Sequence, residues 1–341
     1  MDSLVIVGGS GFIGTHLAQH LHGEYPNSEI VLVDLLEPRI APYAEVLQQG
    51  LTSGRIRFVR HDVRNPLPEK LSESPVKVLY NFAAVHREPG HKAEEYFETN
   101  LPGAEVACSW AARNGCDRIV FTSSISPYGP SETVKNELSI PTPESPYGSS
   151  KLAAEKIHLA WQAADSGRRK LLILRPGVVF GPGEGGNVTR LVRSLVKGYF
   201  VYMGNRHTRK AAGYVKELCH VMQFGLEMLE GQDLDSLLLN FSLDPAPTME
   251  QFVSAIQSTA GIRRPVPSLP RKLLVGLSYP ISAITHLFGL QQPINPVRVR
   301  KTFRSTNIEP LRLRQLGYRY RYSLESALSD WKRDAPKDFQ R

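Results

Sequence analysis

Tyr147 and Lys151 stand four residues apart in Tyr147-Gly148-Ser149-Ser150-Lys151, and the pair Ser123-Ser124 lies about two dozen residues upstream. Residues four apart share one face of a helix, so a phenol and an ammonium would enter the same site. A nearby positive charge favours phenolate over phenol and lowers a tyrosine's pKa. A tyrosine near its usual value of about 10 is a poor base at neutral pH, whereas a depressed one can move an alcohol proton. The chemistry suggested is proton transfer at an alcohol. A surface helix with an ordinary Tyr and Lys would show the same spacing, so the pair gains meaning only from what positions it.

The apolar run Leu4-Val5-Ile6-Val7 leads straight into Gly8-Gly9-Ser10-Gly11-Phe12-Ile13-Gly14. It reads as a buried strand, and an amphipathic helix follows over residues 12–21, with Ile13, Leu17 and Leu21 on one stripe. Strand, glycine loop and helix N-terminus together make an anion site that fits a pyrophosphate. Two registers fit, Gly9-x-Gly11-x-x-Gly14 and Gly8-x-x-Gly11-x-x-Gly14. Asp34 ends the next apolar run, Ile30-Val31-Leu32-Val33, about 20 residues after Gly14. An acid there binds the adenosine ribose hydroxyls and repels a 2′-phosphate, which favours NAD over NADP. Arg39, the nearest following arginine, sits past Pro38.

Further strands are expected at residues 56–60, 76–81, 118–122 and 171–175, with helices at 93–114 and 147–165 between them. The alternation predicts an α/β fold: a Rossmann-like, doubly wound parallel sheet with a smaller, mixed C-terminal substrate lobe. The serine pair then falls at the carboxyl edge of the fifth strand, where such sheets bind ligands. Pro146 suits the first turn of the next helix and Ser145 its cap. Residues 1–176, with 213–243 contributing, form the expected cofactor domain. Residues 177–212 and 244–341 form the lobe.

These motifs resemble the extended short-chain dehydrogenase/reductases, the NAD-dependent epimerase/dehydratase group. The matching residues are the Gly8–Gly14 loop, Asp34, His61-Asp62-Val63, Asn81-Phe82-Ala83-Ala84, Thr99-Asn100, Phe121-Thr122-Ser123-Ser124, Tyr128-Gly129, Tyr147 with Lys151, and Leu174-Arg175-Pro176. The resemblance implies NAD contacts from Gly8, Gly11, Phe12, Ile13, Gly14, Asp34, Asp62, Val63, Ala83, Ala84, Asn100, Lys151 and Pro176. Asp62 would meet the adenine, and Lys151 would also hold the nicotinamide ribose. Ser124 or its neighbour Ser123 would hydrogen-bond the reacting oxygen.

Sugar-nucleotide dehydratases of this group carry an Asp-Glu pair directly after the catalytic hydroxyl, and related decarboxylases a glutamate. Here those positions are Ile125 and Ser126. Neither can protonate a departing hydroxyl or take a C5 proton, unless another carboxylate such as Glu88 takes over. The surviving reading is an NAD-dependent nucleotide-sugar epimerase, acting at C4 through a 4-keto intermediate. A dehydrogenase of a nucleotide sugar or of a hydroxysteroid-like lipid alcohol is the alternative, since Thr122-Ser123-Ser124-Ile125 also resembles the steroid enzymes. A non-enzymatic dinucleotide sensor is a minor third.

Substrate contacts are expected from His86 and Arg87 after the fourth strand, from Ser126, from Asn187 at the start of a helix over 187–197, and from Arg209, with Lys210 competing and Arg298 and Arg300 as further candidates. Arginine suits a diphosphate because its fork binds two oxygens at once.

The chain has 341 residues and a formal net charge of +8. Much of the excess lies near the C-terminus, without a nucleic-acid recognition motif, so no nucleic-acid partner is expected. Three cysteines show neither ligand spacing nor a disulfide framework, and no metal site is expected. With no leader before the first strand, a cytoplasmic location is expected. Residues 273–290 are largely apolar but broken by polar residues and Pro280, so the reading is a helix–kink–helix element of the small lobe rather than a span, with peripheral membrane contact as the alternative. The resemblance also implies a homodimer paired through the helices at 93–114 and 147–165.

Overall fold

A computed structural model describes residues 2–88, 90–203, 205–269 and 305–340. The expectations for residues 273–290, Arg298 and Arg300 lie outside them.

Apolar runs become the central strands. β1 (Ser3–Val7) is buried along its whole length, as are the four inner residues of β2 (Glu29–Asp34). Near-continuous burial is what a parallel sheet covered on both faces requires. The chain continues through β3 (Ile56–Arg60), β4 (Val76–Asn81), β5 (Arg118–Thr122), β6 (Ser131–Lys135), β7 (Lys170–Pro176), β8 (Val178–Phe180), β9 (Tyr202–Met203), β10 (Ala212–Tyr214), β11 (Ser236–Phe241), β12 (Ser268–Leu269) and β13 (Thr306–Ile308). Seven of these form one parallel sheet in the order β11-β7-β5-β4-β1-β2-β3. This is a Rossmann-like arrangement, and the order reverses between β1 and β4. The loops leaving those two strands therefore diverge and open a crevice at the carboxyl edge.

Helices cover both faces. Leu17, Leu21, Leu218 and Met222 pack against one face, from α1 (Phe12–Glu24) and α6 (Val215–Gly231). On the other face, Ala104, Trp110, Ala154 and Trp161 pack from α3 (Ala93–Arg113) and α4 (Pro146–Ala163). α4 starts where its sequence says it must: Ser145 Oγ accepts a hydrogen bond from Gly148 N, and Pro146 occupies the first turn.

A third core, around Phe180, Val192, Tyr214, Phe252 and Trp331, lies apart from the two sheet faces. It gathers α5 (Asn187–Lys197), α7 (Met249–Ala260) and the helix Leu324–Asp334, beside the small pair β8/β10. The pairs β9/β12 and β6/β13 add short ribbons. Among the described residues, no helix is long and apolar enough to cross a membrane.

The candidate active site

The glycine loop is held from below by two neighbouring strands. Gly8 N donates to Val33 O at 2.8 Å, and Phe82 N donates to Val7 O at 2.8 Å. Gly8 has φ +81°, and a Cβ there would lie 2.6 Å from Ala83 N. A side chain at residue 8 would be both strained and in collision with the β4 loop. Gly14 packs on the same turn, with a Cβ position 2.6 Å from Gly8 O. Gly11, the N-cap of α1, has no side-chain cap bond, and α1 has no acid in its first turn. Its free amides and dipole are thus available to an anion. The Ser10 hydroxyl beside them is buried without a protein partner. These features fit a dinucleotide pyrophosphate.

Asp34 borders this cradle. Its Oδ2 accepts from Ser10 N at 3.0 Å and its Oδ1 from Leu35 N at 2.7 Å. Removing this carboxylate by Asp34→Ala should narrow a preference for NAD over NADP of at least about tenfold, or about 1.4 kcal/mol. Titration of both dinucleotides into stripped protein checks this; equal binding by the unaltered chain would contradict it. Asp62, after β3, accepts from Arg64 N and pairs with its guanidinium, and these bonds hold its carboxyl at about 2. Val63 is buried against α3, so only its backbone faces outward. Asn100 is buried, and its amide is engaged with Val85 N at 2.8 Å, Val85 O at 3.2 Å and Ser150 Oγ at 2.9 Å. It fastens the loop after β4 to the start of α4. Pro176 ends β7, its carbonyl accepting from Ile125 N.

The two serines after β5 point to different neighbours. Ser124 Oγ meets Ser126 Oγ at 3.1 Å and accepts from Ser126 N at 3.1 Å, and its hydroxyl lies near enough to the Tyr147 phenol to favour the ionised form. Ser123 is buried, and its hydroxyl donates to Glu155. The alternation of an extended chain separates them. Ser124 thus shares the cleft with Tyr147. Gly148 allows this approach, since a Cβ there would lie 2.7 Å from Ser126 O.

Burial, more than charge, sets the ionisation of the Tyr-Lys pair. Loss of solvent raises the Tyr147 phenol to about 12, against the effect of the Ser124 hydroxyl, with Glu88 and Tyr96 adding to the rise. Loss of solvent lowers Lys151 to about 7, opposed by the Glu155 carboxylate. The expected lowering of Tyr147 by Lys151 is therefore absent from the chain alone. The Lys151 ammonium lies 4.3 Å over the Phe121 ring.

His86 and Arg87 are exposed at the rim of the cleft. Partial desolvation, then the charges of Arg87 and Lys151, hold His86 below its ordinary value against a bond to Ala84 O. Tyr96, which sequence reasoning gave no site role, packs 6.0 Å from Tyr147 and donates its hydroxyl to Arg87 O. Asn187 is exposed at the first turn of α5, accepting from Arg190. Arg209 instead donates to Ala246 O at 2.6 Å, away from any serine of the cleft in its described bonds. Lys210 is pushed down by desolvation, against the Glu132 charge.

A family model described as the NAD dependent epimerase/dehydratase family matches residues 4–235. The chain belongs to this family. It is thereby an NAD-dependent enzyme with epimerases foremost among its relatives and dehydrogenases beside them. One relative is the N-acetyl-alpha-D-glucosaminyl-diphospho-ditrans,octacis-undecaprenol 4-epimerase of Escherichia coli O157:H7, 26% identical over 330 residues, covering 96% of this chain and 93% of that protein. Another is the 3beta-hydroxysteroid-dehydrogenase/decarboxylase isoform 1 of Arabidopsis thaliana, 25% identical, covering 92% and 75%. Among solved structures, a UDP-glucuronic acid 4-epimerase from Bacillus cereus in complex with NAD superposes with a TM-score of 0.75 at 20% identity, over 100% of both chains.

Proposed function

We propose that this chain is an NAD-dependent 4-epimerase of a sugar carried on a diphosphate, with a nucleotide sugar as the first reading. The observation that carries it is the close approach of the head of α4, where Tyr147 stands with Lys151 one turn on, to the Ser124–Ser126 turn, a Gly148 Cβ position lying 2.7 Å from Ser126 O, with no acid pair after Ser124. Tyr147 takes the proton of the C4 hydroxyl, and Ser124 holds that oxygen. When bound, NAD supplies the hydride acceptor and a positive nicotinamide ring. Lys151 as ammonium eases the phenolate that burial opposes. The substrate then turns as a 4-keto sugar and is reduced on its other face. Ile125 and Ser126 offer no acid or base for elimination of a neighbouring hydroxyl. The surface of a homodimer belongs to this reading: Phe97 on α3 is 37% exposed, and Leu152 and Leu159 on α4 are half-buried. Tyr96, Ala104 and Trp161 are already buried within the chain.

A second reading keeps the chemistry and changes the carrier. The Escherichia coli relative acts on a polyprenyl-diphosphate sugar and aligns over nearly the whole chain. Both carriers are tested together. Purified protein is incubated with UDP-glucose, UDP-N-acetylglucosamine and a short polyprenyl-diphosphate N-acetylglucosamine, and the products are separated. Interconversion with no net change at the reduced-nicotinamide absorbance supports an epimerase. The substrate that turns over names the carrier. Stoichiometric NADH release would move the assignment to a dehydrogenase.

A further inference from the structure

A buried polar network lies directly beneath the Tyr-Lys pair. Glu155 is one helical turn after Lys151 on α4, and both side chains face the sheet, 3% and 2% exposed. Arg175, from the end of β7 and 4% exposed, grips Glu155 with two bonds, Nε to Oε1 at 2.8 Å and Nη2 to Oε2 at 2.6 Å. Ser123, from the end of β5, donates to the same carboxylate. The guanidinium lies 4.6 Å over the Tyr128 ring, and Tyr128 Oη donates to Asn240 Oδ1 at 2.9 Å, at the end of β11. Three adjacent strands thus end on one clamp.

A buried ion pair is a weak contributor to stability, because desolvation cancels most of its attraction. Its place under the site gives it another use. The described groups around Lys151 include one carboxylate that acts on it, Glu155, while a second, Glu88 in the loop after β4, acts on the neighbouring Tyr147. On α4 the groups are Tyr147, Glu155 and His158; from β5 comes the Phe121 ring; from the loop after β4 comes His86; from α3, Tyr96 stands beside Tyr147. Both histidines are disfavoured as cations by Lys151, and Arg175 lies on the far side of Glu155. Glu155 is the group whose charge opposes the desolvation of Lys151.

We propose that Glu155, fixed by Arg175 and Ser123, is a positioning residue that keeps Lys151 charged in the closed site. The proposal rests on the reading of Lys151 as the ammonium that holds the cofactor ribose. The clamp explains why two serines follow β5: Ser124 serves the reacting oxygen, and Ser123 serves the carboxylate behind the lysine. It also explains a carboxylate at the fourth residue after the lysine, since that spacing puts it on the same inward face.

The test measures NAD affinity against pH, so that it does not depend on any sugar substrate. NAD is titrated calorimetrically into stripped unaltered protein, Glu155→Gln, Glu155→Asp, and the double variant Glu155→Met with Arg175→Met, which removes both charges. Loss of the carboxylate should make Lys151 release its proton at least about one pH unit earlier. Kd for NAD in Glu155→Gln should then be within about twofold of the unaltered protein near pH 6 and about tenfold weaker near pH 8.5. The double variant should show the same divergence, and Glu155→Asp should largely restore the original profile. A uniform weakening at both pH values, or no weakening in a folded variant, overturns the proposal. Failure of both the single and the double variant to fold also counts against it, by making the clamp a structural requirement alone. If the divergence appears but no sugar diphosphate turns over, the proposal stands and the epimerase reading fails.

Discussion

Replacing Tyr147 with phenylalanine is expected to remove turnover almost entirely while leaving NAD bound. The ring keeps its packing 6.0 Å from Tyr96, and the head of α4 keeps its Ser145 cap. Only the phenolic oxygen is lost. General acid–base groups contribute roughly 10² to 10⁴ in rate, and in the proposed mechanism Tyr147 is the group that moves the C4 proton in both directions. The loss should fall on kcat more than on KM, because the phenol acts in the transition state rather than in binding. Steady-state assays with whichever of the three sugar diphosphates the unaltered protein turns over, alongside NAD titration and a circular dichroism spectrum, decide the matter. Near-normal turnover in a correctly folded Tyr147→Phe protein would sink the assignment.

The parts of this site that sequence reveals are local in the chain. Strand, glycine loop and helix follow one another within residues 3–24, and their periodicity and turn chemistry agree. The same holds for Ser145-Pro146 at the head of α4 and for the helix at 187–197. The expected helix over 93–114 forms as Ala93–Arg113, with Asn114 as its C-cap. What sequence hides is set by contacts distant in the chain. Glu155 finds Arg175 and Ser123, 20 and 32 residues away, only because β5 and β7 are neighbours in the sheet. The choice between Ser123 and Ser124 has the same origin, since either could face the cleft until β5 is fixed against β7. Arg209, a phosphate-ligand candidate by type, also donates from Nη1 to Ala246 O, 37 residues on. Arg314, in the basic C-terminal stretch and half exposed, is paired with Asp244 at 2.8 Å, a partner 70 residues away in the chain. The Tyr147 ionisation failed for a different reason. Spacing reports a neighbouring charge but not desolvation, and here desolvation is the larger effect.

Acidification should weaken the fold well before carboxylates titrate, and the cause is histidines held neutral. His16 on α1 is buried, its Nε2 2.9 Å from Pro182 O, and His158 on α4 is buried with Nδ1 2.8 Å from Ala154 O. Desolvation lowers each from 6.5 to about 4, only partly offset by those carbonyls. His220 on α6 is lowered to about 4 by desolvation, then by His20 and Arg321, and its Nδ1 has no partner. In each case the folded pKa lies below the unfolded one, so the unfolded chain binds more protons between those values. Stability therefore rises with pH across that window. The contribution is complete above about pH 6.5 and is lost progressively as pH falls toward about 4. Between about pH 7 and pH 5, each of the two deeply buried rings should cost on the order of 2 kcal/mol. Together they remove a sizeable share of a stability of typically about 5–15 kcal/mol. Urea unfolding at the two pH values measures the loss. His16→Gln retains a donor for Pro182 O and removes one titrating ring, so its pH dependence should be flatter by roughly the share of one histidine. A urea midpoint that is the same near pH 7 and pH 5 would show that these rings are protonated within the fold, and the packing around His16 and His158 would have to be looser than the contacts of α1 and α4 imply.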